Sequence, residues 1–135
     1  MLKRCAELFT KNLESKKLNF SSGENKSGDS VVEFPYEGKR ARIFFSGDDG
    51  EYMSIYVVFE GVPAEKRTDV ILACNEVNTQ YKWVTAYVDS DNDVIFHLDA
   101  ILSVDNAADE AFELLVRTLK IMDEIKPQIM RAIYA

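Results

Sequence analysis

Histidine, cysteine and proline are scarce in this chain, with one, two and three residues among 135. Structural zinc sites usually take about four nitrogen or sulfur ligands, which His97, Cys5 and Cys74 cannot supply. Long apolar runs are missing as well, and none approaches the ~20 residues of a membrane span. The basic start, Met1-Leu-Lys-Arg-Cys-Ala6, is not followed by the apolar stretch of a secretory signal. Basic charge is in deficit: 16 Lys and Arg stand against 23 Asp and Glu, a formal net charge of −7. Non-specific nucleic-acid binding needs Lys and Arg to neutralise phosphates, so this balance argues against it. The basic clusters Lys3-Arg4, Lys16-Lys17 and Lys39 to Arg42 are short enough to be solvated patches or partner contacts. There is no P-loop, no Gly-x-Gly-x-x-Gly and no His-Glu-x-x-His. The expectation is a cytoplasmic, non-enzymatic protein without metal, cofactor, nucleic acid or membrane.

What is present describes a folded domain. Apolar residues make up 47% of the chain and charged residues 29%, a globular rather than a disordered balance. The length suits one domain over residues 1–135 that closes its core without disulfides or metals. Cys5 and Cys74 fall at apolar positions of predicted helices, where a reduced thiol packs as a small hydrophobe.

Periodicity gives the elements. Leu2, Cys5, Ala6, Phe9 and Leu13 recur at helical spacing and predict an amphipathic helix over 2–16. The polar run Ser21 to Ser30 predicts a mobile loop. Three strands follow: residues 31–36, with Pro35 suggesting a sheet edge, then 39–46 and 51–60 joined at Asp48-Asp-Gly50. Pro63 suits the first turn of a helix running to about Tyr81. A second hairpin occupies 82–89 and 93–101. Asp105 is a plausible N-cap for a last helix with a sustained apolar stripe, and Pro127 predicts a kink or restart near 123–126. The order α-β-β-β-α-β-β-α, with hairpin-linked strands, makes an α+β domain: an antiparallel sheet with helices packed on it.

That order, and the residues along it, resemble the YbjN domain family, grouped with the type III secretion chaperone-like fold. The likeness rests on the first helix, the strand pattern and Asn75-x-x-Asn78 near the end of the middle helix. It continues through the hairpin turn Asp91-Asn-Asp93 with Val94 and Phe96, and through Asp123-x-x-x-Pro127. The resemblance implies a regulator of sensory transduction, or a small acidic chaperone that dimerises and holds a partner chain extended. It implies no common chemistry.

Single residues carry little chemistry. His97 and Asp99 share one strand face, and such a pair can orient an imidazole for base catalysis. A plain surface or interface histidine is the competing reading. Asp89-x-Asp91-x-Asp93 opens like a calcium loop, but Val94 stands where glycine is required and Ala100 where a bidentate glutamate should sit. It reads as a solvated hairpin turn. Asn75 and Asn78 read as residues that satisfy backbone groups near a helix end.

A whole surface is more informative. If Met53, Ile55, Val57, Phe59, Val84, Ala86, Val88, Val94, Phe96 and Leu98 face the helices, parity puts Arg40, Arg42, Phe44, Tyr52, Tyr56, Trp83, Tyr87, Ile95, His97 and Asp99 opposite. Aromatics with arginine are enriched at interface hot spots. The expected partner-binding set is Arg42, Phe44, Tyr52, Tyr56, Trp83, Tyr87 and His97. Either this face is open to a protein partner or a helix of the same chain covers it. A homodimer is expected. The other reading is a small-ligand or enzymatic site built from His97, Asp99 and Arg42.

Overall fold

The computed structural model describes residues 1–135. Helix α1 (Arg4–Ser15) turns Cys5, Ala6, Phe9 and Leu13 to one side, where all four are buried. Strands β1 (Ser21–Glu24), β2 (Ser30–Tyr36), β3 (Lys39–Ser46) and β4 (Tyr52–Gly61) follow. Helix α2 (Arg67–Gln80) precedes the hairpin of β5 (Thr85–Val88) and β6 (Asp93–Ile101), and α3 (Ala107–Tyr134) ends the chain. The six strands form one sheet in the order β1-β2-β3-β4-β6-β5, with antiparallel pairing throughout. The α+β class therefore holds, with one strand more than the sequence predicts.

That strand is β1, which lies in the stretch expected to be a mobile loop. Its residues Ser-Ser-Gly-Glu are all exposed, so no side-chain periodicity announces it. Backbone pairing holds it instead, from Ser21 opposite Glu33 to Glu24 opposite Ser30. The turn is fixed by Asn25, whose side-chain oxygen accepts hydrogen bonds from the N–H groups of Ser27 (3.0 Å) and Asp29 (2.9 Å). β1 also moves the first part of β2 inward from the edge. Pro35 lies beyond the last β1 partner, Glu33, so that end of β2 is still uncovered on its outer side. A proline is tolerated there because no neighbouring strand needs its N–H.

Short 3-10 turns introduce both later helices. Ala64–Lys66, entered from Pro63, precedes α2, and Val104–Asn106 precedes α3. Asp105 is thus inside the turn rather than at the cap. Glu110 fixes the entry instead: its carboxylate accepts the Ser103 N–H and O–H, each at 2.9 Å. Helix α3 does not restart at Pro127 but runs continuously for 28 residues. An interior proline costs about 3 kcal/mol. Ile125, Ile129 and Ile133 remain buried across it, each worth roughly 1.5–3 kcal/mol, which outweighs that cost.

All three helices lie against the same face of the sheet. Ile43 and Phe45 of β3, Ile55 and Val57 of β4, and Phe96 of β6 join Phe9, Cys74, Leu115 and Ile129 in one buried core. Ile95 is buried too, yet stands outside that core, because it points to the other face. No helix of the chain is long and apolar enough to cross a membrane.

Candidate functional site: the open sheet face

Alternation places the outward side chains. β3 contributes Arg42 and Phe44, β4 contributes Tyr52, Ser54 and Tyr56, β6 contributes His97 and Asp99, and β5 contributes Tyr87. Register then aligns them in rows: Arg42, Tyr56 and His97 stand opposite one another across three strands, and Phe44, Ser54 and Asp99 form the next row.

The rings touch in sequence. Phe44 meets Tyr56 edge-on at 5.7 Å, Tyr56 stacks on His97 at 4.2 Å, and Tyr87 meets His97 edge-on at 6.3 Å. The Arg42 guanidinium lies 5.4 Å from the Phe44 ring centre. Such aromatic pairs contribute about 0.5–1.5 kcal/mol each, enough to hold the rings in place without covering them. Tyr52 and Val58 remain more than half exposed at 52% and 53%. Arg42, Phe44, Tyr56, Tyr87 and Ile95 line a shallow depression of about 270 Å³.

Trp83 is placed elsewhere, which corrects the parity argument. It precedes β5 and has φ of 77°, in the left-handed region, so strand alternation does not extend through it. The Val84 N–H donates to the Lys82 carbonyl at 2.9 Å, closing a tight turn around it. Its ring lies under Arg117 of α3, 5.6 Å away, on the helix side. Trp83 is 60% exposed but apart from the Phe44–Tyr56–His97–Tyr87 row.

The polar groups on the open face are tied to each other. Asp99 Oδ1 accepts the Ser54 hydroxyl at 2.6 Å and bonds His97 Nε2 at 2.8 Å. Burial works to raise the Asp99 pKa, but the hydrogen bonds from Ser54 and His97, with the charge of His97, hold it below the usual carboxylate range. The serine hydrogen-bonds the carboxylate and not the imidazole. A nucleophile activated by a base needs the opposite arrangement. His97 and Asp99 also stand outside the lining of the depression that holds Arg42.

Other sequence candidates have structural roles. The Asp89 carboxylate accepts the N–H groups of Asp91 and Asp93, each at 3.0 Å, and Arg67 bonds the Asp89 carbonyl (2.8 Å) and the Asn92 side chain (2.6 Å). Asn92, at φ 60°, completes that turn. Asn78 satisfies backbone groups, though of β5 rather than of its own helix: it bonds both the N–H and the C=O of Ala86. Burial raises the Cys74 thiol to about 11. Burial, followed by Asp49 and Glu51, raises Cys5. Neither thiol is poised as a nucleophile at neutral pH.

One site has no sequence signal beyond Asp123 itself. Leu18, Phe34, Tyr36, Phe112, Leu115 and Leu119 line an apolar groove of about 460 Å³ between the end of β2 and α3. Asp123 accepts the Tyr36 hydroxyl at 2.6 Å beside it, and this hydrogen bond raises the Tyr36 pKa to about 12. Residues distant in sequence build the groove, so periodicity could not reveal it.

Among curated proteins, no match to the chain is found. The family model YbjN, described as "Putative bacterial sensory transduction regulator", matches residues 6–125. That span runs from α1 through most of α3 and includes every strand of the open face, so the chain belongs to the YbjN family.

Proposed function

We propose that this YbjN chain is a non-enzymatic regulatory domain of the bacterial cytoplasm that binds another protein through the open aromatic face of its sheet. The supporting observation is the one-sided coverage: three helices pack on one face, while Phe44, Tyr56, Tyr87 and His97 form a connected row on the other. Aromatic side chains held in fixed positions lose little freedom on binding, which suits them to be anchors. An apolar segment of a partner would lie over Phe44, Tyr56 and Tyr87. Arg42 and Asp99 would stand at the rim and set its orientation.

The small-ligand or enzymatic reading has less support. It asks His97, Asp99 and Arg42 to converge in a concavity, and the depression contains only Arg42 of the three.

Affinity capture from bacterial cytoplasm, using the wild-type chain beside Tyr56→Ala and Tyr87→Ala, tests the proposal. A protein enriched by wild type and depleted with both variants is the expected outcome. Identical captured sets from all three chains would refute the face as the docking site.

A further inference from the structure

The groove between the end of β2 and α3 lies on the helix side of the sheet, away from the aromatic face. Its α3 wall is one helical stripe: Phe112, Leu115, Val116, Leu119, Lys120 and Asp123 follow one another at steps of three and one. At 1.5 Å per residue, that wall is about 16 Å long. Phe34 and Tyr36 of β2 stand across from it. Leu115 is also part of the main core, so the groove opens directly onto buried apolar packing.

Size limits what can fill it. The volume of about 460 Å³ falls within the range of roughly 300–1,000 Å³ for small-molecule sites. Ten residues line the groove, whereas a stable protein interface takes roughly 20–30 on each side. An elongated apolar molecule fits these dimensions, and a protein surface does not.

Charge selects among such molecules. The Asp123 carboxylate is already engaged, since it accepts the Tyr36 hydroxyl at 2.6 Å. Lys120, on the wall, pairs with no carboxylate, and neither does Lys16. The Lys16 ammonium lies 4.8 Å from the Phe112 ring centre, at the opposite end of the wall from Asp123. The uncommitted charges beside the groove are therefore positive, in a chain whose net charge is −7.

We infer that the groove binds a free fatty acid. The carboxylate, ionised at neutral pH, meets the Lys16 ammonium at the Phe112 end. The acyl chain runs along Leu115, Val116 and Leu119 toward Tyr36. Lys120 lays its apolar stem beside the chain and keeps its ammonium in water. Asp123 repels an anion from the far end, which sets the direction.

Titration calorimetry of the full chain with dodecanoate, kept below its micelle concentration, tests the site. Saturable binding of one molecule per chain is expected. Val116 is 45% exposed, so Val116→Trp blocks the groove from its solvent side without displacing core. That variant and Lys16→Glu should each bind at least tenfold more weakly, with unchanged circular dichroism. Lys120→Glu should weaken binding less than Lys16→Glu, and the reverse order overturns the assigned direction. The Tyr56→Ala/Tyr87→Ala double variant should bind as wild type does, so this site and the aromatic face stand or fall separately. Absence of saturable binding overturns the inference, as does full affinity in Val116→Trp. Dodecylamine binding as tightly as dodecanoate overturns the anionic head. A chain that floats with phosphatidylglycerol vesicles but ignores dodecanoate overturns the free acid in favour of a membrane surface. Should Val116→Trp unfold, amide chemical shifts of wild type decide. Dodecanoate must move the signals of Phe34, Tyr36 and residues 112–123, and shifts confined to β4, β6 and β5 overturn the site.

Discussion

The two faces of the sheet are built from the same strands and have different fates. Phe45 and Phe44 are adjacent in β3, as are Phe96 and His97 in β6. Phe45 and Phe96 are fully buried, whereas Phe44 and His97 keep part of their surface in water. Both faces are rich in large side chains, so strand composition alone does not say which becomes core. The helices decide it. Their apolar stripes, with Cys5, Phe9 and Leu13 on α1, Val70, Cys74 and Val77 on α2, and Leu115 to Ile133 on α3, are all used on one face. The other face is held by its own ring contacts and stays uncovered.

This difference is open to attack by mutation. Phe96→Ala should cost about 3–5 kcal/mol in a denaturant melt, as for a core cavity. Tyr56→Ala loses only its edge and stacking contacts with Phe44 and His97, so about 1–2 kcal/mol is expected. Equal losses in the two variants would mean that both faces are core.

Trp83 supplies a smaller effect. Trp83→Ala should change stability by less than about 1 kcal/mol, as surface substitutions do. Trp83→Gly should be the more stable of the two by roughly 1 kcal/mol, because only glycine adopts the left-handed conformation without cost. A melt in which the alanine variant is the more stable would contradict the strained turn.

The smallest effect concerns pH. The folded-state pKa of Asp99 is lowered, so its contribution is fully present above the ordinary aspartate value of ~3.9 and is lost as pH falls through the folded value. Its side chain is 64% exposed, so screening keeps the contribution small. The stability gap between wild type and Asp99→Asn should be widest near neutral pH and narrow below about pH 4. A gap independent of pH would show that the Ser54 and His97 contacts do not favour the ionised form.

Legibility in the sequence follows the same division. Elements that bury a periodic stripe, from α1 to α3, could be read from spacing, and parity placed Arg42, Phe44, Tyr52, Tyr56, Tyr87 and His97 on the face opposite the helices. β1 was hidden because it buries no side chain and is held by backbone pairing alone. Trp83 was misplaced because a left-handed residue interrupts alternation. Pro127 does not restart the helix because the tertiary burial of Ile129 and Ile133 offsets its local cost, which sequence spacing alone does not show. Whether a helix covers the second face depends on how three helices share one sheet, which no single segment encodes.

The central claim is that the open face binds while the covered face folds. A calorimetric titration of the captured partner, re-expressed and purified, into wild type and into a Tyr56→Ala/Tyr87→Ala double variant tests it most directly. The account predicts a variant that keeps its fold and binds at least about tenfold more weakly, a loss of ~1.4 kcal/mol or more. Equal affinity in wild type and variant would contradict it.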